Sequence, residues 1–94
     1  MSTVPVRVTV VTAPACHFCD DAQAALAELA QAYPLAVQMV AADSRDGQAL
    51  LHAHGAGMFP LVLVDEVFFS AGRLPRRKLA RLLASRAPAG AGSR

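Results

Sequence analysis

Cys16 and Cys19 are the only cysteines of this 94-residue chain, and they stand three positions apart in Cys16-His17-Phe18-Cys19. Two thiols at that spacing suit dithiol exchange: one sulfur held as thiolate attacks a disulfide, and a second within reach completes the exchange. The first turn of a helix provides both conditions, because its free N–H groups and positive dipole end favour a thiolate. Cys16 is therefore the expected nucleophile, and Cys19, one turn further in and more buried, the expected resolving thiol. A protonated His17 would add to the stabilisation of the Cys16 thiolate, while Asp20 and Asp21 oppose it. His17 and Phe18, between the two sulfurs, are positioned to tune the pair and to contact a substrate.

Other uses of two cysteines fit less well. A bridge across three positions closes too short a loop to staple a fold, which argues against a structural disulfide of the secreted type. Metal binding would have to recruit His52 and His54, but they lie far along the chain from the cysteines and do not share a helix face. They read as surface histidines, and no metal site is expected.

The elements that must position the dithiol can be read from periodicity. Val6 to Thr12 is a continuous β-branched run, as expected for a buried strand. From about Phe18 to Tyr33, Ala22, Ala25, Leu26, Leu29 and Tyr33 recur at helical spacing, and Pro34 stops the helix. Leu35 to Val40 reads as a second strand, parallel to the first after a helical crossover. Ser44 or Asp43 can cap a short helix over roughly Gly47 to His54, ended by Gly55 and Gly57. Leu61 to Val64 and Val67 to Phe69 flank Asp65-Glu66 as an antiparallel hairpin with a two-residue turn, though Asp-Glu is not a favoured turn pair and a longer loop stays open. Gly72 and Pro75 introduce a last helix with Leu74, Leu79, Leu82 and Leu83 along one stripe.

The expected architecture is α/β in the order β-α-β-α-β-β-α, a four-stranded mixed sheet flanked by three helices. One domain over residues 1–86 is expected, followed by a disordered tail over 87–94 rich in Gly, Ala, Pro and Ser. Tyr33, Phe68 and Phe69 read as core or helix-packing residues rather than binding groups. No stretch resembles a leader or is long enough to span a bilayer, so a cytoplasmic protein without membrane contact is expected. The net charge of +2 carries no nucleic-acid signal. Arg73, Arg76, Arg77, Lys78, Arg81 and Arg86 nevertheless cluster near the C-terminus. They read first as a solvated face, and otherwise as a site for an acidic partner, since no aromatic stacking platform accompanies them.

Over residues 6 to 85 the chain resembles the glutaredoxin branch of the thioredoxin-fold proteins. Cys16-His17-Phe18-Cys19 stands in the place of the family's Cys-Pro-Tyr-Cys, and Met58-Phe59-Pro60 in that of its Thr-Val-Pro. Ser70-Ala71-Gly72 loosely matches the Gly-Gly turn ahead of the last helix. The resemblance implies a cis Pro60 facing the dithiol, with Met58 and Phe59 lining an apolar patch beside Cys16, and Gly72 in the substrate site. It implies a monomeric thiol–disulfide oxidoreductase without bound cofactor, acting on protein or glutathione mixed disulfides and reduced by glutathione or a thioredoxin-type reductase.

Two departures bear on the donor. The family usually places Lys or Arg a few residues before the first cysteine, where this chain has Thr12-Ala13-Pro14-Ala15. Arg73 follows Gly72, where the family has an acidic or small polar residue. Both tilt the expected donor toward the reductase, and the missing cation leads us to expect a Cys16 less acidified than in typical glutaredoxins, in a pair that acts as a reductant. The competing class is a non-catalytic module: an iron–sulfur or metal carrier, or an adaptor docking through Met58, Phe59 and the basic last helix.

Overall fold

The structure is a computed structural model that describes residues 4–86. The tail expected over 87–94 lies outside the described residues. Every residue of β1 (Val6–Thr12) except Arg7 is β-branched, and the strand occupies an interior position of the sheet. Proline and capping geometry delimit α1 (His17–Ala32): Tyr33 donates its backbone N–H to the Leu29 carbonyl at 2.8 Å, and Pro34 cannot continue the helix. The chain returns as β2 (Leu35–Ala41), parallel to β1 with Val6 opposite Leu35 and Thr12 opposite Ala41.

Ser44, rather than Asp43, caps α2 (Arg45–His54), accepting the Gly47 N–H at 3.0 Å, and Gly55 closes the helix in the left-handed conformation at φ 58°. β3 (Leu61–Val64) pairs antiparallel with β1, and β4 (Val67–Ala71) pairs antiparallel with β3 past an irregularity at Val62/Leu63. The strand order is β2-β1-β3-β4, and α3 (Arg76–Arg86) completes the β-α-β-α-β-β-α order read from the sequence.

The two faces of the sheet follow from the period of two. Val8, Val10, Val62 and Val64 pack with Ala22, Ala25 and Leu26 of α1 and with Leu79 and Leu83 of α3. Val11, Val40, Leu61 and Leu63 face the other way, against Leu50 and Leu51 of α2. Helices α1 and α3 therefore cover one face and α2 the other.

The Asp65-Glu66 connection is the expected two-residue turn and not a longer loop, both residues having positive φ (49° and 70°). Arginines from elsewhere hold this unfavoured pair. The Asp65 side chain accepts from the Arg7 N–H at 3.0 Å and pairs with Arg86, while Glu66 pairs with the Arg7 guanidinium. Phe68 is not core: it is 49% exposed, tilted toward His54 with ring centroids 6.4 Å apart, whereas Tyr33 and Phe69 do pack on the interior.

Candidate functional site

Pro14 ends the extended run of β1, and Ala15 turns the chain with φ 52° so that Cys16 arrives as the N-cap of α1. Caps normally use Ser, Thr, Asp or Asn oxygens to accept a first-turn N–H. Here the acceptor is sulfur: Cys16 Sγ receives the Cys19 N–H at 3.1 Å, and the Cys16 carbonyl accepts from the N–H groups of Cys19 and Asp20, both at 3.2 Å. A group that caps a helix by accepting hydrogen bonds is stabilised as an anion.

Cys16 and Cys19 are joined as a disulfide with their Cα atoms 5.2 Å apart, inside the ordinary range for such bridges. The two sulfurs differ in access. Cys16 is half-buried, whereas Cys19 is 4% exposed and packed beneath it. His17 and Phe18 are exposed, Phe18 at 42%, so the residues between the cysteines are presented outward.

The second part of the site comes from a distant stretch of chain. Val11 of β1 lies opposite Leu61 of β3, so one further antiparallel step sets Pro60 level with Thr12, at the sheet end from which the chain leads to Cys16. The Phe59–Pro60 peptide is cis and Pro60 is fully buried. The Pro60 carbonyl accepts the Gly72 N–H at 3.0 Å, which ties the start of β3 to the end of β4.

Gly72 has φ 98°, and a Cβ there would sit 3.3 Å from the Met58 methyl carbon. Met58 and Gly72 are therefore packed together, with Met58 itself 55% exposed. Phe59 turns the other way and packs against the cluster around Val11 and Leu61, so of the loop's two large side chains only Met58 is a broad surface feature. Neither Met58 nor Phe59 makes a backbone hydrogen bond among the described residues.

A contact invisible to sequence patterning completes the site. Arg76, in the first turn of α3, donates to Asp21 at 2.7 Å and lies 3.6 Å from Glu28. One of the two carboxylates that sequence placed against the thiolate is thus paired, and the N-terminal half of α1 is joined to the first turn of α3. The partners are 55 residues apart, with no local signal to link them.

Among the described residues, no group of three or more His, Cys, Asp or Glu is arranged to hold a metal ion. His52 is exposed and His54 half-buried beside Phe68. The larger concavity, about 620 Å3, lies between α2 and the sheet, lined by Thr9, Gln38, Leu50, His54 and Leu63 among others, and includes none of the dithiol residues. Exchange with a disulfide needs an accessible sulfur rather than an enclosing pocket, so the dithiol remains the candidate site. No helix among the described residues is long and apolar enough to cross a membrane.

No family model matches the chain, and no curated protein does. Solved structures do. An uncharacterised thioredoxin-like protein from Clostridium perfringens superposes with a TM-score of 0.70 at 12% identity, over 86% of this chain and 70% of that one. A single-residue mutant of thioredoxin from Halobacterium salinarum NRC-1 gives 0.63 at 23% identity, over 87% and 74%. Thioredoxin-2, described as a component of the malaria parasite's protein secretion machinery, gives 0.63 at 15% identity, over 86% and 82%. With its order of elements, its mixed four-stranded sheet and a Cys-x-x-Cys at the start of α1, the chain has the thioredoxin fold.

Proposed function

We propose that this protein is a small thiol–disulfide oxidoreductase whose nucleophile is Cys16 and whose resolving thiol is Cys19. The observation that carries the reading is the asymmetry of the pair: Cys16 is half-buried and its Sγ accepts the Cys19 N–H at 3.1 Å, while Cys19 is only 4% exposed. In the reduced protein the Cys16 thiolate attacks one sulfur of a substrate disulfide. A bond forms between the two sulfurs, and the other substrate sulfur leaves as a thiolate that takes up a proton. Cys19 then gives up its proton and attacks Cys16 Sγ. The second substrate thiol is released and the Cys16–Cys19 disulfide forms. The substrate gains two electrons and the protein loses two.

Substrate contact falls to the exposed groups His17, Phe18 and Met58 and to the backbone of Met58-Phe59, which makes no hydrogen bond among the described residues. An extended substrate segment can pair with such an edge. Pro60 and Gly72 hold that edge in place. The electron donor in this reading is a flavin-dependent thioredoxin-type reductase, favoured over glutathione because Thr12-Ala13-Pro14-Ala15 offers no cation for a glutathione carboxylate.

A coupled NADPH assay with insulin or a peptide disulfide, run with each donor, tests the reading. Turnover lost in Cys16→Ser, and a stable mixed disulfide trapped by Cys19→Ser, are the expected results. Folded protein that reduces no disulfide with either donor would refute it.

A further inference from the structure

Charge is unevenly divided along this chain. Between Gly72 and Arg86 lie six of its nine basic residues and none of its seven acidic ones, so the remainder is net negative. The arrangement is unfavourable to the fold. α3 has no acidic residue in its first turn, and Arg76, Arg77 and Lys78 sit at the positive end of the helix dipole. Arg77 and Arg81, four apart on the same helix, repel one another.

Three of these cations are used within the chain: Arg76 pairs with Asp21 and Glu28, Arg86 pairs with Asp65, and Lys78 lies 5.3 Å from the Phe69 ring centre. Arg73, Arg77 and Arg81 are exposed, with no ion-pair partner among the described residues. All three line one shallow concavity of about 560 Å3, floored by Leu74 and Pro75.

This surface adjoins the dithiol by two routes. Arg73 follows Gly72, which is packed on Met58, and Arg76 joins Asp21 of α1, two residues beyond Cys19. From these observations we infer that Arg73, Arg77 and Arg81 form a docking surface for an acidic polypeptide segment that flanks the disulfide of the protein's substrate. The inference rests on the dithiol reading and supplies its substrate class. An extended acidic segment laid along the Met58-Phe59 edge continues onto Arg73 and then down α3. Guanidinium groups suit this task, because each can bind a carboxylate through two parallel hydrogen bonds. An acidic protein is favoured over a nucleic acid because the concavity holds no aromatic side chain on which a base could stack.

The test compares two disulfide peptides of the same length, one flanked by four Asp or Glu and one by Ser and Gly, in kcat/KM measurements at low and high salt. A preference of about tenfold or more for the acidic peptide at low ionic strength is expected, falling toward unity at 1 M salt, where the Debye length is about 3 Å. The triple substitution Arg73→Gln, Arg77→Gln, Arg81→Gln should abolish the preference, and the corresponding Lys triple should retain most of it. Equal rates on both peptides at low salt, or a Gln triple that keeps the preference while folded by circular dichroism, would overturn the proposal.

Fluorescence anisotropy with a disulfide-free acidic peptide reads the surface alone. If that peptide binds the wild type but not the Gln triple, the docking surface stands even where no disulfide is reduced, and only the dithiol reading is lost. A single-stranded oligonucleotide of equal charge that binds the surface more tightly than the acidic peptide at 0.15 M salt would assign it to nucleic acid and overturn the inference.

Discussion

Gly72→Ala is a small change at a position where backbone and site meet. The residue has φ 98°, in the region that side-chain-bearing L-residues disfavour. Placing an alanine in a left-handed conformation costs roughly 1–2 kcal/mol. A second, steric contribution comes from the new Cβ, 3.3 Å from Cε and 3.6 Å from Sδ of Met58. Those atoms are the end of a flexible, 55% exposed side chain that can move aside, so the steric part is the smaller.

The two contributions separate in a double-mutant cycle. Gly72→Ala should lower stability by about 1–2 kcal/mol, which for a domain of this size is a fall in Tm of about 4–16 °C. Adding Met58→Ala should recover only the steric fraction, leaving most of the loss in place. Urea denaturation and thermal melts by circular dichroism, on both single variants and the double, are the assay. A Tm unchanged in Gly72→Ala refutes the backbone argument. Full recovery in the double variant would show that the cost was contact with Met58 and not conformation.

Three further outcomes follow from the same geometry. Gly47→Ala would ordinarily favour a helix by about 0.5–1 kcal/mol, but here the added Cβ would overlap the Ala41 carbonyl oxygen and lie 3.0 Å from the Ala42 Cα. The helix would have to move off β2, and a loss of about 1–3 kcal/mol in urea denaturation is expected, a gain being the refuting result. The rate of Cys16 alkylation by iodoacetamide in the reduced protein should rise with pH and level off below the ordinary thiol range. The thiol form dominates below the Cys16 pKa, and the helix start with the Cys19 N–H stabilises the thiolate; an inflection above that range contradicts the capping role of Cys16 Sγ. Arg76→Ala should move that inflection upward by releasing the Asp21 carboxylate beside the dithiol, while lowering stability by no more than about 1 kcal/mol because the pair is exposed. An inflection that stays in place would detach Arg76 from the chemistry.

The parts of the molecule that were legible in the sequence are those with a local cause. The β-branched run of β1, the heptad-like spacing from Ala22 to Leu29 and the stops at Pro34 and Gly55 each act within a few residues, so element order and topology could be read directly. The dithiol was legible for the same reason, since strand end, turn and helix start are contiguous. What escaped were contacts closed only by the tertiary fold. The Asp65-Glu66 turn looked unfavourable because Arg7 and Arg86, which hold it, come from β1 and the end of α3. Phe68 looked like core because hydrophobicity does not reveal that α2 is too short to cover the β4 end of its sheet face. Arg76 looked solvated because its partner is 55 residues away.

The structural neighbours show what this implies for function. They share 12% to 23% identity with the chain yet superpose with TM-scores of 0.63 to 0.70, so few particular side chains are needed to build the scaffold. A pattern of apolar positions and a handful of turns is enough, and both tolerate wide substitution. Features beyond that minimum then have to be explained by something other than folding. The sulfur cap at Cys16 is one, since Ser or Asp would cap α1 as well or better. The arginines of α3 without an ion-pair partner among the described residues are another, because the helix dipole disfavours a cation at Arg77 and mutual repulsion disfavours Arg77 together with Arg81. The Met58-Phe59 backbone, without a hydrogen bond among the described residues, leads into Pro60 at the sheet end nearest Cys16 and packs through Met58 on Gly72 beside Arg73, so a partner that touched all three would be an extended acidic strand with its disulfide over Cys16.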